Sequence, residues 1–262
     1  MGLGPARLVE GGIGSIRGVS IDTIEVEERP FELGTTIKVL RSISEKVKLA
    51  AQDDCFPMLL AGGCISTVGA LAGLNSAPRA VIWFDAHADF NTPETTVSGF
   101  IDGMALAAAS GRCWRNLTAS IAGFRPVPER NLVLIGARHF DPDERQALDS
   151  SDITYLDTLS LRDQGLEESI AAAVAKLPHR VYLHVDLDVL DRSEAVVNEY
   201  SSPGGLTLAE LFEIIRLIGH ERAIVGAAIT AYDPAVDRDG RGANAGIAVA
   251  KQLLAAACID VN

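Results

Sequence analysis

The chain has 262 residues, 48% hydrophobic and 22% charged, with a formal net charge of -12. That balance supplies a sizeable core and excludes a disordered protein, while the acidity excludes nucleic acid as a partner, since a phosphate backbone demands clustered Lys and Arg. Charge or glycine breaks every apolar stretch well short of membrane-spanning length, and the N-terminus lacks the basic start and apolar run of a secretory signal, so no membrane partner and a cytoplasmic location are expected.

Along the chain, Thr35 to Gln52 carries apolar residues at helical spacing, and Phe56 to Ala61 reads as a strand, followed by strands at Ala80 to Phe84 and Leu132 to Ile135. A helix is expected from Leu166 to Leu177, stopped by Pro178, and then a strand over Val181 to Val189. Thr207-Leu208-Ala209-Glu210 has the form of a capping box opening a helix toward Ile218; a strand from Ala223 to Thr230 and a helix from Gly242 to Ala257 complete the series. Apolar strands alternating with helices imply an α/β fold of three layers, αβα, with a central parallel sheet. With no low-complexity linker and no internal repeat, residues 1–262 read as one domain. Cys55, Cys64, Cys113 and Cys258 show no CxxC spacing, which excludes a disulfide framework or a zinc knuckle and leaves them mostly as small core residues.

In such sheets functional groups collect beyond the carboxyl ends of the strands. There the sequence places acid. Ala80-Val81-Ile82-Trp83-Phe84 runs into Asp85-Ala86-His87-Ala88-Asp89, two carboxylates and an imidazole at alternate positions of an extended segment. In Val181 to Val189, alternation sets His184, Asp186 and Asp188 on one strand face. Aspartates packed together in a buried strand repel one another unless a cation compensates them. Four carboxylates and a histidine form a hard, oxygen-rich set suited to Mn²⁺ or a similar ion, and two such ions roughly 3.5 Å apart would hold a bridging hydroxide. Without the Lys and Arg array of phosphoester chemistry, hydrolysis of a carbon–nitrogen bond is the better match.

At these residues the chain resembles the arginase, or ureohydrolase, family, whose Asp-Ala-His-x-Asp and later Asp-x-Asp motifs bind a dinuclear manganese centre. The resemblance runs from about Leu59 to Pro234 and implies an arginase-like fold, two Mn²⁺ per chain and a homo-oligomer. By resemblance Asp85 and Asp186 would bridge the ions, Asp89 and Cys64 would complete one site, and His87 and Asp188 the other. Asn91 and Ser98 fall on the loop that binds the substrate's α-carboxylate. Asp141 falls where an aspartate binds its α-amino group, although Asp-Pro also suits a plain turn before a helix.

Three departures accompany the matches. Counted without a gap from Gly69, Cys64 stands at the histidine of the family's Gly-Gly-Asp-His-Ser; anchored on Gly62-Gly63, Ile65 would stand there and leave no ligand. Cys64 is thus either a thiolate ligand, favouring softer ions, or a buried thiol beside a weakened site. Asp102 occupies the place of a proton-transferring histidine. Beside two cations its carboxyl is expected below the ordinary range, a partner for a cationic substrate or a departing amine. Ala231 stands where the family grips guanidinium with glutamate, which removes a charge-assisted hydrogen bond of roughly 1.5–3 kcal/mol and leaves Asp102 or Asp233 to restore a negative partner. His184 replaces a small residue, either orienting a ligand or simply hydrogen-bonded in the sheet.

The resulting expectation is a metal-dependent hydrolase of a small guanidino or amidino compound with amino-acid-like ends. Its rivals are a non-catalytic homologue serving regulation or assembly, and a module that binds an amino acid without chemistry.

Overall fold

The structure, a computed structural model, describes residues 1–25, 31–74 and 80–257. Its elements in chain order are α1 (Gly4–Gly11), α2 (Glu32–Gln52), β1 (Met58–Leu60), α3 (Ser66–Gly73), β2 (Ala80–Phe84), α4 (Ala105–Ser110) and α5 (Arg115–Ala119). There follow β3 (Leu132–Ile135), α6 (Pro142–Asp149), β4 (Thr154–Leu156), α7 (Thr158–Gln164), α8 (Leu166–Val174), β5 (Arg180–Asp186), α9 (Leu208–Glu221), β6 (Ala223–Thr230) and α10 (Arg241–Ala257).

The six strands form one parallel sheet in the order β1-β6-β5-β2-β3-β4. From β2 the chain builds outward through β3 to β4, then returns to the other side of β2 and builds outward again through β5 and β6. The order therefore reverses between β2 and β5, and a crevice opens beyond the carboxyl ends of these two strands. Side-chain parity assigns the two faces. Ile82, Phe84, Leu183 and Val185 pack with α8, α9 and α10, whereas Val81, Trp83, Tyr182 and Ala228 pack with α2, α3 and α4. These are the two outer layers that the apolar strands implied.

Three strands keep their expected bounds, and α9 opens on the expected capping box, with Glu210 N–H donating to Thr207 Oγ1 at 3.1 Å and Thr207 N–H to Glu210 Oε2 at 2.8 Å. The strand expected over Val181 to Val189 stops at Asp186, because Asp188 N–H donates to Asp186 Oδ1 at 2.9 Å and turns the chain into a short 3₁₀ segment, Leu187–Val189. Asp188 is therefore not on the strand face it was expected to share with His184 and Asp186. Helix α8 ends at Val174, short of Leu177, and β1 is shorter than Phe56 to Ala61. Of the cysteines, Cys64 and Cys113 are buried, Cys55 is exposed, and Cys258 lies outside the described residues.

Helices α2 and α3 pack without space between them. A Cβ at Gly69 would lie 2.6 Å from Leu40 O, and one at Gly73 would lie 2.6 Å from Ser44 O and 2.7 Å from Val47 Cβ. This contact seats α3, whose preceding loop carries Cys64. Gly73→Val adds bulk there with little gain in helix propensity and is expected to cost about 1–3 kcal/mol. A urea midpoint unchanged by the substitution would contradict the close packing of α2 on α3.

Candidate metal centre

Residues Phe84 and Val185 are partners in register, so Asp85 and Asp186 leave the sheet side by side at the point where strand order reverses. Both point toward the face shared by Trp83 and His184, themselves partners across β2 and β5. Beyond Asp85 the chain bends at Ala86, whose O accepts N–H bonds from Arg138 and His139, and His87 bridges to His139. Asp89 breaks the run at φ +50°, a left-handed conformation in which an aspartate is better tolerated than a bulky residue.

Asp85, Asp89, Asp186 and Asp188 are all buried and line one pocket of about 450 Å³. Asp85 accepts from Trp83 Nε1 at 3.1 Å and from His87 N–H at 2.7 Å. Asp188 accepts from Ala86 N–H and from Asn198 Nδ2, each at 3.1 Å. Asp186 accepts from Asp188 N–H and, at 2.9 Å, from the thiol of Cys64. Asp89 Oδ2 has no hydrogen-bond partner although it is buried. Arg138 spends its guanidinium on backbone carbonyls, among them those of Asp188 and Leu190, and so braces the turn that carries Asp188.

Burial and then the neighbouring Asp188 charge raise the Asp85 carboxyl above its ordinary range. Asp186 is raised by burial and then by Asp188 and Asp85, and Asp89 by burial and then by Asp85 and Asp186. Burial disfavours the His87 cation, but the hydrogen bond to Asp85 and the charges of Asp85 and Asp188 outweigh it and lift His87 to about 9. A set of buried carboxylates that resist ionisation, one with an orphan oxygen, fits divalent cations. Two groups of ligand atoms lie within 4.8 Å of one another: Cys64, Asp85, His184 and Asp186, and Asp85, His87 and Asp188. Asp85 belongs to both, as expected of a bridging ligand. Asp186 belongs only to the first, and Asp89 to neither, although it lines the same pocket.

The substrate-binding candidates gather at that pocket. Asn91 Nδ2 donates to Asp141 Oδ2 at 3.1 Å, and Ser98 accepts from Phe100 N–H on the rim. Asp141 both lines the pocket and opens α6, where Glu144 reaches back to its N–H, so its two sequence readings hold together. Asp102 accepts from Ile65 N–H at 3.0 Å, and a Cβ at Gly63 would lie 2.4 Å from its Oδ2. In the protein's own field burial raises Asp102 against that hydrogen bond, opposite to the direction expected beside two cations. Ala231 is buried on the pocket wall at φ +61°, its carbonyl held by Asn198 Nδ2 at 3.1 Å. Asp233 is absent from the pocket lining and instead accepts from Ala235 N–H, a turn residue. Sequence reading assigned nothing to Glu144, Asn198, Tyr200 or His139, all of which line the pocket. Glu144 alone had a local signal, its place three residues after Asp141.

The Arginase family model matches residues 4–256. The chain belongs to the arginase family. An arginase of Bacillus caldovelox is 32% identical over 240 residues, covering 86% of this chain and 80% of the relative. The arginase structure from Bacillus subtilis superposes with a TM-score of 0.88 at 26% identity over 96% of this chain and 91% of the other, and that from Bacillus cereus with 0.86 at 28% over the same shares. Family membership carries with it the expected enzyme class, a ureohydrolase acting on carbon–nitrogen bonds other than peptide bonds. An identity of 32% fits a divergent member of the family.

Because the folded chain holds protons on Asp85, Asp89 and Asp186 that the unfolded chain releases, stability of the metal-free protein falls as pH rises above the ordinary Asp value of 3.8. His87 adds to the trend: its contribution is full below 6.5 and is lost as pH rises through about 9. The Tm of metal-free protein is expected to drop between about pH 5 and pH 9, and a saturating divalent ion to shrink the drop by replacing those protons. A metal-free Tm that climbs across this range would contradict it.

Proposed function

We propose that the chain hydrolyses a carbon–nitrogen bond in a small linear guanidino or amidino compound with amino-acid-like ends, using two divalent ions held at the carboxyl ends of β2 and β5. One observation carries the reading: four buried aspartates converge at the sheet's switch point, and Asp89 Oδ2 among them has no partner in the protein. When bound, two such ions supply a water acidic enough to serve as nucleophile near neutral pH. Asp85 would hold both ions, with Cys64, Asp89 and Asp186 holding the first and His87 and Asp188 the second. We assign manganese to the harder site that Asp85, His87 and Asp188 define, with Cys64 altering the other.

At the pocket's polar end, Asn91, Ser98 and Asp141 position the substrate's carboxylate and amino group. Asn91 and Asp141 are already tied to each other there. Asp102 lines the same pocket, anchored by Ile65 N–H, and is the group we assign to the cationic group or the departing amine. Ala231 offers no charge, so the negative wall that faces the reacting group is Asp102. A pocket of about 450 Å³ suits a molecule of amino-acid size. Further parts of the proposal are that residues 1–262 act as one domain, that the protein is a homo-oligomer, and that it works in the cytoplasm. No helix among the described residues is long and apolar enough to cross a membrane, and the three described cysteines are free, which supports that location.

A second reading, a non-catalytic homologue in regulation or assembly, draws on a specific observation: the Cys64 thiol donates to Asp186 inside the site, and Ala231 leaves the opposite wall uncharged.

Manganese-loaded protein screened against guanidino and amidino compounds is expected to release urea or ammonia, with close to two ions per chain by elemental analysis. Asp186→Ala should lose both ions' tight binding and more activity than the roughly 10–100-fold that loss of a hydrogen bond to a ligand costs. Undiminished turnover by that variant refutes the proposal, and zero ions after loading supports the non-catalytic reading.

A further inference from the structure

His184 is the buried group that the proposed reaction does not use. It lies on β5 one pleat before Asp186, on the same face, and is fully buried. Its ring stacks on Trp83 with centroids 3.5 Å apart and planes 14° from parallel, so its plane is fixed. Nδ1 is turned toward α3, 2.7 Å from Thr67 Oγ1. Nε2 is turned the other way, 3.3 Å from Thr230 Oγ1, and that oxygen is itself 3.4 Å from both Cys64 Sγ and Asp186 Oδ2. Nε2 is therefore the nitrogen on the side of the carboxylates. A neutral imidazole carries one N–H, and placing it on Nδ1, toward Thr67, leaves the Nε2 lone pair facing the site.

We infer that His184 Nε2 and Cys64 Sγ are paired ligands of the first ion, together with Asp85 and Asp186, and that this half of the centre selects a zinc- or cobalt-class ion over manganese. The inference rests on the two-ion reading above and goes beyond it in ligand set and in metal choice. The four ligand atoms lie within 4.8 Å of one another before any ion is present. The chain thus supplies one thiolate, one imidazole and two carboxylates on this side, against one imidazole and two carboxylates in the Asp85, His87 and Asp188 group. A thiolate beside an imidazole favours borderline and softer ions, whereas the second group remains the harder of the two. The ion takes the place of the thiol proton that now lies between Cys64 and Asp186, and that proton leaves to solvent.

Thr67 would then do for His184 what a carbonyl or carboxylate does for other metal-bound histidines, holding the tautomer and the ring orientation. Thr230 stands between the imidazole, the thiol and the carboxylate, and its single hydroxyl proton can satisfy only one of those three neighbours at a time. Asp89 Oδ2, which lines the same pocket, has no hydrogen-bond partner in the protein.

The test is a Co²⁺ titration of the metal-free full-length protein followed by absorption, with Zn²⁺ and Mn²⁺ competition and elemental analysis of the same samples. Wild type is expected to show a thiolate-to-cobalt charge-transfer band at the first equivalent, displaced by Zn²⁺ but not by equimolar Mn²⁺. Cys64→Ser should abolish the band. His184→Ala should keep it but weaken first-site Co²⁺ affinity at least tenfold and alter the cobalt d–d spectrum, with added imidazole restoring both. His184→Gln, which keeps hydrogen-bonding groups for Thr67 and Thr230, guards against loss of folding and should behave as His184→Ala does without imidazole. Unchanged cobalt affinity and spectrum in both His184 variants would overturn the inference while leaving a two-ion hydrolase intact. Failure of wild type to bind any ion would overturn both readings, and two bound ions without the charge-transfer band would overturn this one alone.

Discussion

Four buried carboxylates crowd the floor of one pocket, and the rest of this end of the sheet is arranged around making that tolerable. Each aspartate is buried, and three are driven toward the neutral form by burial and by one another. The fold answers with neutral donors: the Trp83 indole, the backbone N–H groups of Ala86, His87 and Asp188, and the Asn198 amide. Such donors ease ionisation without supplying positive charge. Without an ion the cluster is eased by protons, on the Cys64 thiol, on His87 and on the raised carboxyls, and divalent ions are suited to take their place.

The place of the cluster follows from topology. Reversal of strand order between β2 and β5 opens the sheet at its carboxyl end, and these strands carry Asp85 and Asp186 as the first residue past β2 and the last of β5. Parity then puts Trp83, His184 and Asp186 on the α2–α3 side, where Gly69 and Gly73 let α3 settle and bring the Cys64 loop over the strand ends. Arg138, through the carbonyls of Asp188 and Leu190, braces the turn after β5 that carries Asp188.

Much of this was legible in the sequence because the central strands are apolar and short, so their ends are marked by the first charge or glycine. Ala80–Phe84 ends at Asp85, and Leu132–Ile135 ends at Gly136. What escaped had no such mark. Strand β4 has three half-buried residues at the sheet edge, too few to show alternation, and α3 is buried on every side, which erases helical periodicity. The end of β5 was misplaced for a different reason. A period of two continues through Asp188, and only the bond from Asp188 N–H to Asp186, a local competitor of the sheet ladder, ends the strand. The register at Cys64 was open between two alignments. The structure puts its sulfur against Asp186, while the Ile65 side chain joins the apolar cluster and its N–H holds Asp102. Asn198 and Tyr200 carried no local pattern at all, since they reach the pocket from a loop whose path is set by contacts far along the chain.

Ala231 shows how a strained wall residue is held by the backbone around it. A non-glycine residue at φ +61° costs roughly 1–2 kcal/mol, so something must hold it there. Asn198 takes its carbonyl, and Asp233 N–H donates to Val197 O at 2.7 Å, which ties the segment after β6 to the loop after β5. Asn198 is bonded to Asp188 as well, so the turn after β5 and the Ala231 wall of the pocket are set by one amide. Ala231 puts a methyl group and no charge on a pocket that is otherwise rich in carboxylates, so this wall adds nothing to the repulsion among the buried aspartates.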